Sequence, residues 1–157
     1  DILSNKRSEN RKMHFFVVEY GAENRLYEGL PQKTYLEAAV SYIKNTDIFK
    51  RDTDAVSIII TKADKSGVTG DELMEKMKSY ITSIYGGFYR RLKDICEMNE
   101  INGGRVDVMP FSLGQVCFQT YCRFDDEAAL NIIRFIIDHA YGNRTGKMSN
   151  ILNWFRK

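Results

Sequence analysis

The chain has 157 residues, 43% of them apolar and 28% charged, with 23 basic against 21 acidic side chains. This length fits one domain, and the composition is that of an ordinary globular protein rather than a disordered one. The net charge of +2 gives no reason to expect nucleic acid or an anionic membrane as a partner. No apolar run approaches the ~20 residues that span a bilayer and no signal segment opens the chain, so we expect a cytoplasmic location.

The first elements are a polar segment, a strand and a helix. Residues 1–12 predict a tail or the end of a preceding helix. The β-branched and aromatic run 13–21 predicts a strand that is buried on both faces. A loop over 22–30 leads to a helix from about Gln32, with Pro31 near its first turn. The apolar stripe predicted for this helix consists of Tyr35, Ala38, Ala39, Tyr42 and Ile43.

The middle of the chain predicts two further strands with a long helix between them. Residues 55–60 form a second buried-strand pattern, and Thr69 with Glu72 forms a capping box that begins the helix. Gly86-Gly87 predicts a kink or a break in it. The third strand is predicted at 106–111. The helix positions expected to face inward are Leu73, Met77, Ile81, Ile84, Phe88, Leu92 and Ile95, and the tyrosines expected to form an exposed patch are Tyr80, Tyr85 and Tyr89.

The last third predicts an accessory strand and a final long helix. Residues 116–124 alternate, which is typical of a half-exposed strand or an edge hairpin. Asp125 is expected to cap the helix and Gly142 to end it, and a short terminal helix is expected at 151–155. The inward positions predicted for the long helix are Ala129, Ile132, Ile133, Ile136 and Ala140.

The alternation of strands and helices defines the predicted fold class. It favours an α/β domain over 13–157, with a mostly parallel three- to four-stranded sheet and flanking helices. The three cysteines, Cys96, Cys117 and Cys122, are expected to be reduced thiols, since their odd number argues against a disulfide scaffold. His14 and His139 lie in or beside apolar segments, so we expect structural rather than catalytic histidines.

In parallel sheets the functional residues usually follow the carboxyl ends of the strands. Thr61-Lys62-Ala63-Asp64 follows the second predicted strand, and Ser112-Leu113-Gly114 follows the third. In these two loops the chain resembles the P-loop GTPases, whose corresponding strands end in Asn-Lys-x-Asp or Thr-Lys-x-Asp and in a Ser-Ala or Ser-x-Gly loop. The resemblance covers residues 13–141 and matches the second half of such a domain, within a P-loop NTPase-like three-layer sandwich.

The resemblance implies recognition of guanine in GTP or GDP. The Asp64 carboxylate would accept hydrogen bonds from the ring N–H and the exocyclic amine of guanine, which adenine does not offer. The aliphatic stem of Lys62 would lie along the purine face, and backbone N–H groups of 112–114 would meet the guanine carbonyl. Thr61 stands where asparagine is commoner. The implied binding residues are Thr61, Lys62, Asp64, Ser112, Leu113 and Gly114.

The phosphate-binding half of such a domain is missing from the pattern. The sequence contains no Gly-x-x-x-x-Gly-Lys-Ser/Thr, and the nearest match, at 142–148, is one residue short and ends in methionine. The resemblance therefore implies a carboxy-terminal half, whose phosphate cradle and Mg²⁺ ligand belong to a preceding half. Alone, the chain is expected to hydrolyse no nucleotide and to bind GDP weakly.

The strand at 13–20 raises a second interpretation. Without a neighbour, its outer edge would show unpaired N–H and C=O groups flanked by apolar side chains. A preceding half of the domain would cover this edge; alternatively, a self-contained domain would protect it by homodimerisation or by adding a strand from a protein partner. In the latter case the chain is a non-catalytic protein-interaction module with a flavodoxin-like arrangement of layers.

Overall fold

The computed structural model describes residues 12–46, 48–49, 53–117, 121–123 and 126–141. The predictions for residues 1–11, Asp125, Gly142 and 151–155 lie outside these residues. The described elements, in chain order, are β1 (Lys12–Glu19), β2 (Leu26–Tyr27), β3 (Leu30–Pro31), α1 (Gln32–Thr46), β4 (Thr53–Thr61), a 3-10 helix (Ala63–Ser66), α2 (Gly70–Ile84), α3 (Gly86–Met98), a 3-10 helix (Ile101–Gly104), β5 (Asp107–Phe111), β6 (Gln115–Cys117), β7 (Tyr121–Arg123) and α4 (Asp126–Tyr141).

A three-stranded parallel sheet organises the fold, with the strand order β1-β4-β5. Strand β4 lies in the centre, and its burial on both faces follows from its run of β-branched side chains. The predicted α/β class with a parallel sheet and flanking helices is confirmed. Strands β2 and β3 form a small antiparallel hairpin, and β6 and β7 form a second antiparallel pair, which contains the described part of the alternating segment 116–124.

The helices cover both faces of the sheet. Neighbouring side chains in a strand point to opposite faces. Phe16 of β1 contacts Phe88 of α3, with ring centroids 5.4 Å apart, whereas Phe15 contacts Phe135 of α4 at 6.0 Å. Helices α3 and α4 therefore lie on opposite sides, and we name the two sides the even face and the odd face after the numbering of β1.

The main hydrophobic core lies on the even face. There the even-numbered strand residues pack with one side of α1, α2 and α3. Helix α2 ends at Ile84 and α3 begins at Gly86, so the predicted break at Gly86-Gly87 is confirmed. The fully buried members of this core include Val18, Val56, Ile58, Ile60, Met77, Ile81, Phe88 and Leu92.

Strand β1 differs from its prediction of burial on both faces. Only Val18 is buried, and the side chain of Val17 is 57% exposed. The exposure of Val17 follows from the position of β1 at the end of the described strand order. On the odd face of this strand, α4 contacts Phe15, two residues before Val17. Among the described strands, the apolar run therefore belongs to an edge strand rather than to a central one.

The predicted faces of α1 and α4 are confirmed only in part: Ile43 of α1 packs against the core and Ile132 of α4 is half-buried, but other predicted positions point outward. In α1 the buried residues are Leu36 and Val40, whereas Tyr35 and Tyr42 are exposed. In α4 the inner face carries Ala128, Ile132, Phe135 and His139, so the predicted positions Ala129, Ile133, Ile136 and Ala140 are exposed. Thr69 does stand at the N-cap of α2, but its side chain makes no capping hydrogen bond.

The two histidines and Cys96 pack against hydrophobic neighbours. His14 Nε2 lies 3.4 Å from Thr53 Oγ1, and His139 Nδ1–H donates to the Phe135 carbonyl at 2.8 Å. Cys96 is a free, fully buried thiol. Burial raises its pKa to about 12, so the thiol stays protonated at neutral pH.

Candidate functional site

The three parallel strands end in one row. Glu19, the last residue of β1, pairs with Thr61, and Thr61 pairs with Phe111, the last residue of β5. Adjacent strands lie about 4.8 Å apart. The segments that follow the strands therefore leave the sheet side by side, and they include Lys62 and Ser112, which directly follow two paired residues.

Hydrogen bonds and a left-handed backbone conformation hold the loop after β4 in place. Thr61 accepts a hydrogen bond from Tyr20 N–H at 3.0 Å, and its hydroxyl donates to the Val18 carbonyl at 3.3 Å. Lys62 adopts the left-handed region, with φ 56° and ψ 34°, which turns the chain out of the sheet into the 3-10 helix Ala63–Ser66. Lys76 of α2 donates to the Ser66 carbonyl at 2.8 Å. This loop is thus tied to β1 and to α2.

Asp64 occupies the outer side of that 3-10 helix. Its side chain is exposed, whereas the preceding Ala63 is buried at 1% exposure. Within the described residues the Asp64 carboxylate makes no hydrogen bond and no ion pair; only its main-chain carbonyl is engaged, by Gly67 N–H at 3.1 Å. The carboxylate therefore keeps both oxygens accessible to a ligand.

The loop after β5 lies next to this region. Strand β5 contacts the 3-10 helix that carries Asp64. Leu113 is 62% exposed, and Gly114 has φ 87°, a conformation that favours glycine. The fold thus brings the two predicted loops, 61–64 and 112–114, to the same end of adjacent strands.

Glu19 is a member of this region that sequence reasoning missed. Its Oε1 accepts a hydrogen bond from Lys62 Nζ at 2.6 Å and lies 3.9 Å from Lys65 Nζ. Its Oε2 accepts from Arg25 NH1 at 3.3 Å. The hydrogen bond from Lys62, aided by the three nearby positive charges, lowers the pKa of Glu19 below its usual value despite partial burial. A lone acidic residue that ends a predicted strand is the only signal that marks it in the sequence.

The tyrosines predicted to form an exposed patch instead bind neighbouring segments. Tyr80 Oη accepts from Gly21 N–H at 3.0 Å and donates to Glu23 Oε2 at 2.8 Å. Tyr85 is fully buried and donates to Gln32 Oε1 at 2.9 Å. Burial raises the pKa of both hydroxyls, so they remain hydrogen-bond donors. The predicted patch is wrong, because these tyrosines link α2 to the segment after β1 and to α1.

An open groove of about 560 Å³ runs along α2 beside Tyr20. Its remaining lining residues come from α2, namely Glu72, Glu75, Lys76, Ser79, Tyr80 and Ser83. None of the six predicted binding residues lines it. In the part of the chain that the structure describes, no group of three or more His, Cys, Asp or Glu side chains is placed to hold a metal ion.

Comparison with protein-family models, with curated proteins and with solved structures found no significant match. The architecture alone therefore classifies the described part, as an α/β protein with a parallel sheet between helices. No helix among the described residues is long and apolar enough to cross a membrane.

Proposed function

We propose that the chain is the guanine-recognising, carboxy-terminal half of a GTPase-like domain. The observation that carries this proposal is the convergence of the two loops. Thr61-Lys62-Ala63-Asp64 and Ser112-Leu113-Gly114 leave adjacent strands at one end of the sheet, directly after the paired residues Thr61 and Phe111. The exposed Asp64 carboxylate, uncommitted among the described residues, is the group that this function requires.

The strand order supports the same proposal. The sheet of P-loop GTPases places its phosphate-loop strand beside the strand that corresponds to β1. In this protein β1 lies at the end of the order β1-β4-β5 and pairs, among the described strands, with β4 alone. The position of the phosphate-loop strand therefore corresponds to the outer edge of β1.

The chemistry of the site suits a purine with donors on one edge. Asp64 can accept the ring N–H and the exocyclic amine of guanine together, as a charge-assisted bidentate pair. The ammonium group of Lys62 donates to Glu19 at 2.6 Å, and its methylene stem would lie against the base. Backbone N–H groups of Leu113 and Gly114 would supply donors for the guanine carbonyl.

The proposal assigns phosphate cradling, Mg²⁺ binding and hydrolysis to residues outside this chain. The sequence lacks the Gly-x-x-x-x-Gly-Lys-Ser/Thr pattern that performs the first two tasks. We therefore expect GDP to bind this chain weakly. Tight GDP binding in isothermal titration would contradict the assignment.

An exchange of base preference tests the role of Asp64. The substitution Asp64→Asn replaces two acceptors by one acceptor and one donor, which match the N–H and the carbonyl of xanthine instead of the two donors of guanine. NMR titration of the wild-type chain should show shifts at 61–65 and 112–114 with guanosine and none with adenosine. In Asp64→Asn, affinity for guanosine should fall at least about tenfold, and xanthosine should bind in its place.

The control is Asp94→Asn, which changes an exposed carboxylate on α3 and should leave the preference for guanosine intact. Equal shifts with guanosine and adenosine in the wild-type chain would refute the proposal. So would an Asp64→Asn chain that still prefers guanosine to xanthosine.

A second candidate function, a protein-interaction module, is favoured by the edge of the sheet. Strand β1 is an edge strand in the described sheet, and Val17 on its odd face is 57% exposed. A second copy or a partner strand could add to this edge. Light scattering over a concentration series tests the homodimer: a dimer that Val17→Lys converts to a monomer would support it, and a monomer at every concentration would exclude it.

A further inference from the structure

We propose that Arg25, Lys62 and Lys65, which surround Glu19 at the carboxyl end of β1, form a phosphate-binding subsite next to Asp64. The identity of the ligand rests on the proposed function: the subsite takes the phosphate group of the same guanine nucleotide. The position of the subsite is inferred from the contacts of the three cations with Glu19.

Three cations converge on one carboxylate. Lys62 Nζ lies 2.6 Å and Lys65 Nζ 3.9 Å from Glu19 Oε1, and Arg25 NH1 lies 3.3 Å from Glu19 Oε2. Among the described residues, Glu19 is the one carboxylate in ion-pair contact with these three cations. Glu23, the other carboxylate of this segment, accepts its hydrogen bond from Tyr80 of α2. A dianion at this point would relieve the repulsion among the cations.

The cations keep donors available for a ligand. The side chains of Arg25, Lys62 and Lys65 are 59%, 47% and 56% exposed. A guanidinium has five N–H donors, and Arg25 uses one terminal nitrogen for Glu19 while its guanidinium lies 5.4 Å from the centre of the Tyr27 ring. At 3.9 Å the Lys65 contact is longer than a hydrogen bond, so this ammonium can turn to an incoming anion.

The subsite lies where the phosphate of a base-bound nucleotide would extend. Lys62 and Lys65 flank Asp64 in the chain, and Glu19 pairs directly with Thr61 across about 4.8 Å of sheet. A nucleotide that places its base against Asp64 on the β4-β5 side would direct its phosphate along the strand ends toward β1. The cations are therefore placed for a monophosphate that is attached to the base.

Three probes separate the two halves of the ligand. We would titrate the chain with guanosine, with GMP and with inorganic phosphate at low ionic strength, following backbone amide resonances of 19–25 and 61–65. GMP should bind at least about fivefold more tightly than guanosine, and phosphate alone should shift the resonances around Arg25 and Lys65. This advantage should largely disappear in ~1 M salt, where the Debye length is about 3 Å.

Paired variants locate the phosphate. Arg25→Gln with Lys65→Gln should abolish the advantage of GMP over guanosine and leave the affinity for guanosine unchanged. The matched control, Lys78→Gln with Arg91→Gln, removes the same charge from exposed positions of α2 and α3 and should keep the advantage. An equal loss in both double variants would mean a nonspecific effect of net charge and would overturn the subsite.

The outcomes distinguish this inference from the proposed function. If guanosine binds and GMP binds no more tightly, the subsite is refuted and guanine recognition stands. If GMP and AMP bind equally, and the Arg25→Gln/Lys65→Gln chain loses both, the phosphate subsite stands and guanine recognition fails. Phosphate shifts that persist in that double variant would assign the ion to another place and refute the subsite.

Discussion

The two faces of the sheet are built differently. On the even face, three helices bury the side chains of all three strands in one core, which includes Val18, Ile58 and Phe88 at 0% exposure. On the odd face, α4 covers the sheet near β4 and β5, and Val17 of the edge strand remains 57% exposed. Consecutive residues of β1 thus experience opposite surroundings.

This difference separates the residues that are expected to stabilise the fold from the residues that remain accessible to a ligand or a partner. Burial of apolar area is the main favourable contribution to folding, so the even face should dominate the free energy of unfolding. The odd face of β1 and the charged strand ends contribute little burial, and they present the groups that a ligand or a partner would contact. Substitutions on the two faces can therefore test the comparison directly.

The largest difference is expected between the two aromatic pairs. Phe88→Ala on the even face should lower the free energy of unfolding by about 3–5 kcal/mol, because it leaves a cavity where the Phe88 ring contacts Phe16. Phe135→Ala on the odd face should cost about 1–2 kcal/mol, because that ring is only half-buried. Urea unfolding followed by circular dichroism measures both values. Equal losses would show that the odd face contributes as much to stability as the even face.

A finer comparison uses two adjacent valines of β1. Val18→Thr places a hydroxyl in the closed core and should cost about 1–3 kcal/mol. Val17→Thr keeps the β-branched shape at an exposed position and should change stability by less than about 0.5 kcal/mol. The same unfolding measurement applies, and each variant is the control for the other, since strand propensity changes equally in both. A large loss in Val17→Thr would mean that the odd face of β1 is covered in solution.

The sequence predicts the strands because their signals are strong and local. The run at 55–60 is apolar on both faces, as a central parallel strand requires, and β4 contains it. Gly86-Gly87 marks the break between α2 and α3 because glycine weakens a helix interior. These features depend on neighbours within a few residues, so no knowledge of the tertiary structure is needed.

The faces of α1 and α4 are not predictable in the same way. Both helices have apolar residues on more than one side: in α4, Ile132 and Ile133 compete for the inner position, and Ile132 takes it. In α1, the small Ala38 and Ala39 fit either side, and Leu36 and Val40 are buried instead. The docking angle against the sheet decides between such stripes, and it is a tertiary property.

The candidate site also combines features that nearby residues determine with features that tertiary packing determines. Thr61, Lys62 and Asp64 form a local motif after a strong strand, so the sequence alone is enough to predict it as a candidate. Glu19 contacts Lys62 over 43 positions of the chain. That contact depends on the register of β1 against β4, which pairs Glu19 with Thr61. Register is set by packing and is not written in either segment alone.

An effect smaller than those of the core substitutions concerns the charge of Glu19. Its folded-state pKa is lowered from 4.5, first by the hydrogen bond from Lys62 and further by the nearby cations. A carboxyl group with a lowered folded-state pKa contributes stability above its unfolded-state pKa, and this contribution is lost as the pH falls through the folded-state value. Glu19→Gln should therefore cost less than about 1 kcal/mol at neutral pH, since the partner cations are half exposed and screened by solvent.

The pH dependence separates this charge effect from a loss of packing. The difference in unfolding free energy between the wild-type chain and Glu19→Gln should stay constant from neutral pH down to about 5, and then shrink as the pH falls below 4.5. High salt should reduce it as well, because exposed ion pairs are screened. Asp94→Asn serves as the control for an exposed carboxylate on α3. A stability difference that persists unchanged in acid would mean that Glu19 stabilises β1 through packing rather than through its charge. The ion pairs with the cations at the strand ends would then contribute no measurable stability.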